Sequence, residues 1–332
     1  MKYKGKNNMH VQRFIQKYIQ ENILNKASVK TPKKKWYDTS EWLIVVGAGI
    51  AILVMLSFIY YIISESLPVI QREGLYFILG TAWNYKTYQF GMLYFIAGTL
   101  AVTLVTMVIA IPLSILTAIF LAEFSPPKVT SILRPMVELL VGIPSVVYGI
   151  FGVLFLENIF RSTIKPLIGS TLGFIPIFAN VRPSQGDSIL LAASVLAVMA
   201  LPTITVLSIE AMKSVPTDYE EASIALGATK WETISKVIIP VSMPGIITGI
   251  LLGMMRAMGE TMAVVMLMGN TFRMPGSILD TGYAMTSKIL NDILYYFPDD
   301  NARSALMGIA LVLFVIEFSL LLLTKAVGAR IR

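Results

Sequence analysis

Six stretches of this chain are apolar over the ~20 residues that an α-helix needs to cross a ~30 Å hydrocarbon layer. They fall at 42–63, 91–122, 136–156, 188–209, 245–268 and 304–323. Backbone in lipid must satisfy its own hydrogen bonds, and runs of this length do so as helices packed against one another. Composition agrees, because 55% of the 332 residues are hydrophobic and only 14% are charged, whereas a soluble domain carries roughly 25% charged residues. The sequence therefore specifies an all-α polytopic membrane protein with about six transmembrane helices. The second run is long enough to tilt or to extend into water. Pro112, Pro144 and Pro202 stand inside the second, third and fourth runs. There a proline removes a hydrogen bond and kinks a helix that its neighbours support.

The first 41 residues are a basic arm holding ten of the 27 Lys and Arg. Within it Val11, Phe14, Ile15, Tyr18, Ile19 and Ile23 recur at helical spacing, which fits either a short amphipathic helix on an anionic leaflet or a partly disordered arm. No cleavable signal peptide precedes the first run, which is too long for one. With both termini cytoplasmic, the inside segments carry 18 Lys and Arg and the outside loops carry 8, the arrangement that cytoplasmic positive charge favours. The arm decides this orientation. The expected outside loops are then 64–90, 157–187 and 269–303, each large enough to dock an external partner. There is no cysteine, and the one histidine, His10, lies in the arm. No metal site, cofactor or nucleic-acid partner is expected.

One apolar run carries opposite charges. GMMRAMGETMAVVMLMG, 253–269, holds Arg256 and Glu260, each costing about 2.5–3.5 kcal/mol at the centre of a bilayer. On a continuous helix at about 100° per residue, both charges share a sector with Gly245, Gly249, Gly253 and Ala257, and the methionines take the opposite side. A ladder of small residues marks close helix packing, so the charges are expected to face protein and the methionines lipid. Two readings remain open. The residues form either a structural ion pair or the lining of a path in which arginine donates to an oxyanion and glutamate accepts from a protonated one. The latter suits hydrogen phosphate better than sulfate.

The segment 210–244 is expected to be a helix, a glycine turn and a second helix. Thr217 with Glu220 and Thr229 with Glu232 fit capping boxes, and Gly227 fits a helix stop. From Glu221 to Pro240 it resembles the EAA loop of permease subunits of binding-protein-dependent ABC importers. The family pattern is Glu-Ala-Ala, three residues, Gly, nine residues, Ile, any residue, Leu-Pro. Here it reads Glu221-Ala222-Ser223, Gly227 and Val237-Ile238-Ile239-Pro240, with Ser223, Val237 and Ile239 departing from it. The stretch Arg256–Val264 is similar to the Arg-Ala-x-Gly-Glu-Thr-x-Ala segment of phosphate-specific importer permeases. GIPSVVYGIFGV at 142–153, ALGATKWET at 225–233, AGTLAVTLVTMVIAIPLSILTAIFLAEF at 97–124 and GNTFRMPGSILD at 269–280 are likewise similar to that family. Length, the basic arm and the Met-Ala-Val ending favour the PstC-type subunit over its sister.

The resemblance covers residues 42–332, a permease domain of type I importer architecture in a bacterial cell membrane. It implies a sister permease, a dimer of ATPase subunits, an extracytoplasmic phosphate-binding protein and inorganic phosphate as cargo. Arg256 and Glu260 would line the substrate path, while Glu221, Ala222 and Gly227 would couple to the ATPase. No catalytic residue is expected, because the chain has no G-x-x-x-x-G-K-[ST] phosphate loop and so would not hydrolyse ATP itself. Two alternatives stand beside this reading. One is an ABC permease for sulfate or molybdate, and the other is a proton-coupled carrier using Glu260.

Overall fold

The computed structural model describes residues 39–179 and 186–330. Almost all of the basic arm, with its expected amphipathic helix, lies outside the described residues. The chain divides into two units, Met1–Ile59 and Tyr60–Arg332. In the first, the described backbone is helical from Thr39, and apolar side chains such as Trp42, Ile44, Leu53 and Phe58 are exposed, as suits a surface solvated by lipid.

Six helices are long and apolar enough to cross a membrane: Trp42–Glu73, Leu93–Phe124, Ser145–Leu172, Ile189–Lys213, Lys230–Met258 and Asp300–Ala326, here spans one to six. In the second unit the organising element is span four. Of its most apolar window 67% is buried, against at most 39% in any other span. Small residues and short polar side chains let its neighbours approach. Ser114 Oγ of span two donates to the Leu201 carbonyl at 3.3 Å, and Thr205 Oγ1 of span four donates back to the Ser114 carbonyl at 3.3 Å. Such bonds hold membrane helices together where no hydrophobic effect acts between them.

Span five packs on span four through the expected ladder. A Cβ built on Gly245 would meet Ala211 Cβ at 2.5 Å, one on Gly249 would meet Leu207 Cβ at 3.0 Å, and one on Gly253 would meet Ile204 Cγ1 at 2.5 Å. Backbone approaches this close admit no side chain, which is why the ladder is glycine.

Three spans depart from the sequence expectation. The first runs on to Glu73 through residues expected as loop. The third begins at Ser145 rather than 136. Residues Pro127–Leu139 form a separate helix with no buried residue, and Pro144 (φ −58°, ψ 136°) caps span three rather than lying within it. A proline forces the residue before it into extended backbone, so the helix restarts there instead of bending. Consequently 157–172 is helix, not loop. The fifth breaks: its helix closes at Met258 with Gly259 as C-cap, and Met262–Leu267 is a separate short helix.

At the Ile189 end of span four, the stretch 279–288 is buried throughout. That overturns its expected role as exposed docking surface. Backbone here serves the helix start: Ile189 N donates to the Asp280 carbonyl at 2.9 Å and Leu190 N to the Ile278 carbonyl at 2.8 Å. Leu191 N donates to Ser188 Oγ at 3.2 Å. The N–H groups that a helix leaves unpaired are thereby satisfied without water. Close by, Trp83–Asn84 pairs antiparallel with Gln89–Phe90, and Phe77, Phe90, Phe95, Tyr283 and Leu306 share one core cluster.

Candidate functional site

At the Lys213 end the segment after span four folds as helix, turn and helix. Thr217–Ala225 is the first helix, with Pro216 as N-cap and no side-chain cap, so the expected box of Thr217 and Glu220 does not form. Pro216 displaces it, taking the cap position with its own fixed φ and putting Thr217 inside the helix. Glu221 therefore stands in the second turn, behind Asp218 and Glu220 in the first. The second box does form: Glu232 N donates to Thr229 Oγ1 at 3.3 Å, and Thr229 N donates to Glu232 Oε2 at 3.0 Å. Gly227 has φ +85°, a left-handed turn that a residue with a Cβ resists.

Glu221 and Ala222 are exposed, as is Gly227. Around them Leu226 is 89% exposed, and Tyr219, Ile224 and Trp231 are also exposed. An unburied apolar knob of this kind marks an interaction surface. Its base is anchored to the rest of the chain. Lys230 Nζ donates to the Glu123 carbonyl at the end of span two, and its ammonium stands 5.3 Å from the Phe124 ring centroid. Arg134 bridges Glu138 at 2.9 Å and also pairs with Glu210 at the end of span four.

The second locality is the break in span five. Arg256, Ala257 and Glu260 line one crevice with Leu196, Met199 and Ala200 of span four. The structure thus places both charges against protein, yet it does not pair them: among the described residues Arg256 has no ion-pair or hydrogen-bond partner. The break is the reason. Glu260 lies beyond the end of the helix that carries Arg256, and its Oε1 accepts from Met262 N at 3.1 Å and Ala263 N at 3.4 Å. The carboxylate thereby caps the next helix, while its own carbonyl accepts from Thr286 Oγ1 at 2.9 Å.

Three of the methionines do not face lipid as the continuous helix required. Met258 is buried, and Met254 and Met266 pack on the main core cluster.

One residue of this locality escaped the sequence reading. Glu317 stands in the middle of span six, and a Cβ built on Gly259 would lie 3.2 Å from its Oε1. The signal was available, because an acid inside an apolar run is as costly as Arg256. Lys165 and Lys288, both buried, were also missed. They lay in stretches read as outside loops, where lysine is ordinary.

Residues 110–332 match the family model of binding-protein-dependent transport system inner membrane components. The chain belongs to this family. It is a multi-pass inner-membrane transport subunit. A phosphate transport system permease protein PstC from Mesorhizobium japonicum is 35% identical over 86% of this chain and 88% of its own length. Another from Xylella fastidiosa is 33% identical over 79% of this chain and 81% of its own. A probable ABC transporter permease protein, YqgH of Bacillus subtilis, is 36% identical over 87% of both. In fold the chain is similar to a bacterial alginate ABC transporter solved in complex with an alginate pentasaccharide-bound periplasmic protein. There the TM-score is 0.56 at 16% identity, covering 87% of this chain and 96% of that one. The architecture is that of an ABC importer permease.

Proposed function

We propose that this permease is one of two membrane subunits of an ATP-driven phosphate importer. The observation that carries the reading is its likeness, over about four-fifths of its length or more, to permeases named for phosphate transport. The chain is oriented with both termini in the cytoplasm, so the knob at 217–229 faces a cytoplasmic ATPase dimer that hydrolyses ATP for it. An extracytoplasmic phosphate-binding protein delivers the anion at the Ile189 end. Glu221, Ala222 and Gly227 belong to the coupling surface, and Arg256 and Glu260 to the path. ATP-driven closure of the ATPase pulls the knob, and the Lys230 contact to the Glu123 carbonyl carries that movement to span two, while span four follows because the chain runs from it directly into the knob.

Arg256 supports the choice of cargo. A guanidinium at membrane depth with no ion-pair or hydrogen-bond partner among the described residues is a fork of donors matched to a tetrahedral oxyanion. Glu260 holds two backbone N–H groups, so its charge is settled locally and leaves that of Arg256 available. The test is uptake of labelled phosphate in cells lacking other phosphate routes, with sulfate and molybdate as competitors. Arg256→Gln should reach the membrane at normal abundance and lose uptake, while Arg256→Lys, which keeps the charge without the fork, should retain part of it. Normal uptake by Arg256→Gln would remove this residue from the path. Equal competition by sulfate would make the cargo a wider class of oxyanion.

A further inference from the structure

We propose that the Tyr148 hydroxyl is the acceptor by which the path tells a protonated oxyanion from one without a proton. The inference rests on the reading that Arg256 lines the path. Geometry puts the tyrosine beside the break in span five. Tyr148 stands near the start of span three, half-buried, and packs on the main core cluster. The apolar walls of the Arg256 crevice, Leu196, Met199, Ala200 and Ala257, belong to that same cluster. The next residue, Gly149, lies against the short helix that Glu260 caps. A Cβ built on it would meet Met266 Sδ at 2.7 Å and Ala263 Cα at 3.4 Å. The positive charge of Arg256 accordingly acts on the Tyr148 hydroxyl.

A tyrosine hydroxyl has one proton to donate and lone pairs that accept. Here the proton is committed. Tyr148 Oη donates to the Leu140 carbonyl at 3.1 Å, in the turn that precedes Pro144. Among the described residues no group donates to the oxygen itself. What Tyr148 offers an incoming anion is therefore an acceptor.

A guanidinium supplies donors only, so Arg256 alone would take sulfate and hydrogen phosphate alike. An acceptor near it separates them, because hydrogen phosphate has a P–OH proton to give and sulfate at neutral pH has none. Against sulfate the tyrosine oxygen would face an unprotonated oxygen and stay unpaired, which costs binding. A neutral hydroxyl does this without setting a second negative charge against the anion, as a carboxylate would. Glu260 Oε1 is in any case taken by the N–H groups of Met262 and Ala263. The bond to Leu140 holds the hydroxyl in place, so the selection needs no rearrangement.

The test uses the assembled importer purified from membranes into nanodiscs, with melting followed against inorganic phosphate, arsenate and sulfate. Arsenate carries a proton as phosphate does, and sulfate is the anion without one. Wild type should be stabilised by phosphate and arsenate at lower concentrations than by sulfate. Tyr148→Phe keeps the ring on the core and loses the oxygen. Its half-saturating concentrations of phosphate and arsenate should rise about tenfold, while that of sulfate is unchanged. Tyr148→Met, which deletes the hydroxyl with a different shape, should narrow the preference in the same way. Arg256→Gln should weaken all three anions together. A Tyr148→Phe variant that weakens all three alike, or that keeps the wild-type preference, overturns the assignment. So does a wild type that binds all three equally, and in that case Arg256 keeps its place in the path. If no anion stabilises wild type, the reading of Arg256 fails and the role of the tyrosine fails with it.

Discussion

Lys288 is 2% exposed yet carries an ammonium group, and its surroundings explain how. It pairs with Asp292, one turn along the same helix. Five rings surround the nitrogen: Phe272 at 4.6 Å, Trp83 at 5.0 Å, Tyr85 at 5.3 Å, and Phe95 and Tyr283 at 5.5 Å from their centroids. Aromatic faces attract a cation most strongly where water is excluded. Burial pushes the lysine below its usual pKa, while the Asp292 carboxylate opposes the shift. Tyr85, which donates to Asp292, is pushed above the usual tyrosine value, first by burial and then by that hydrogen bond. Lys288→Met should therefore cost ~3–5 kcal/mol by stranding Asp292, whereas Lys288→Met/Asp292→Leu should regain most of it. Melting of the purified protein measures both. If the double variant is no better than the single, the rings rather than the ion pair hold the site. Nothing in the sequence pointed to this box, because its members come from four separated stretches. Arg256 was legible, since one charge in an apolar run stands out without any knowledge of neighbours.

Among the elements, two glycines matter for different reasons, and substitution separates them. Gly227 has open space around a built Cβ but φ +85°, so only its backbone conformation resists replacement. Gly227→Val should deform the turn, leaving membrane abundance near normal while lowering ATPase co-purification and uptake. Gly227→Asn, which tolerates the left-handed region, should retain more of both. Normal co-purification by the valine variant would detach the knob from coupling. Glu221 is exposed and has no ion pair among the described residues, so Glu221→Lys should leave melting unchanged and weaken ATPase association through charge alone. Gly253 is the opposite case, its space being taken by Ile204 at 2.5 Å. Gly253→Leu should separate spans four and five and reduce abundance, with Ile204→Ala restoring part of it; quantitative immunoblotting of membranes reads this. The ladder was legible because its period is a property of one helix. The break at Gly259 was not, because Gly-Glu-Thr inside an apolar run carries no proline and its hydrogen bonds are completed from Thr286, far along the chain.

At the scale of the molecule, hydropathy located all six spans but mistook which residues lie between them. It treats a stretch as loop when its average is polar, whereas 279–288 is polar in composition and buried by position. Buried groups such as Asp280, Thr281 and Ser287 lower the average because they serve the backbone of other elements. The backbone of this stretch is also locked in place. Gly282 N donates to the Met268 carbonyl at 3.0 Å, and Met285 N to Thr99 Oγ1 at 2.9 Å. Deuterium labelling should make the difference between the two connections plain. Amide protons at 279–288 should exchange as slowly as those of span four, because opening them means separating spans two and four. Those at 217–229 should exchange within seconds until the proposed ATPase partner covers them. A connection that behaves kinetically like a membrane helix would put the rigid end of the permease on the side that receives cargo and the pliable end on the side that receives force.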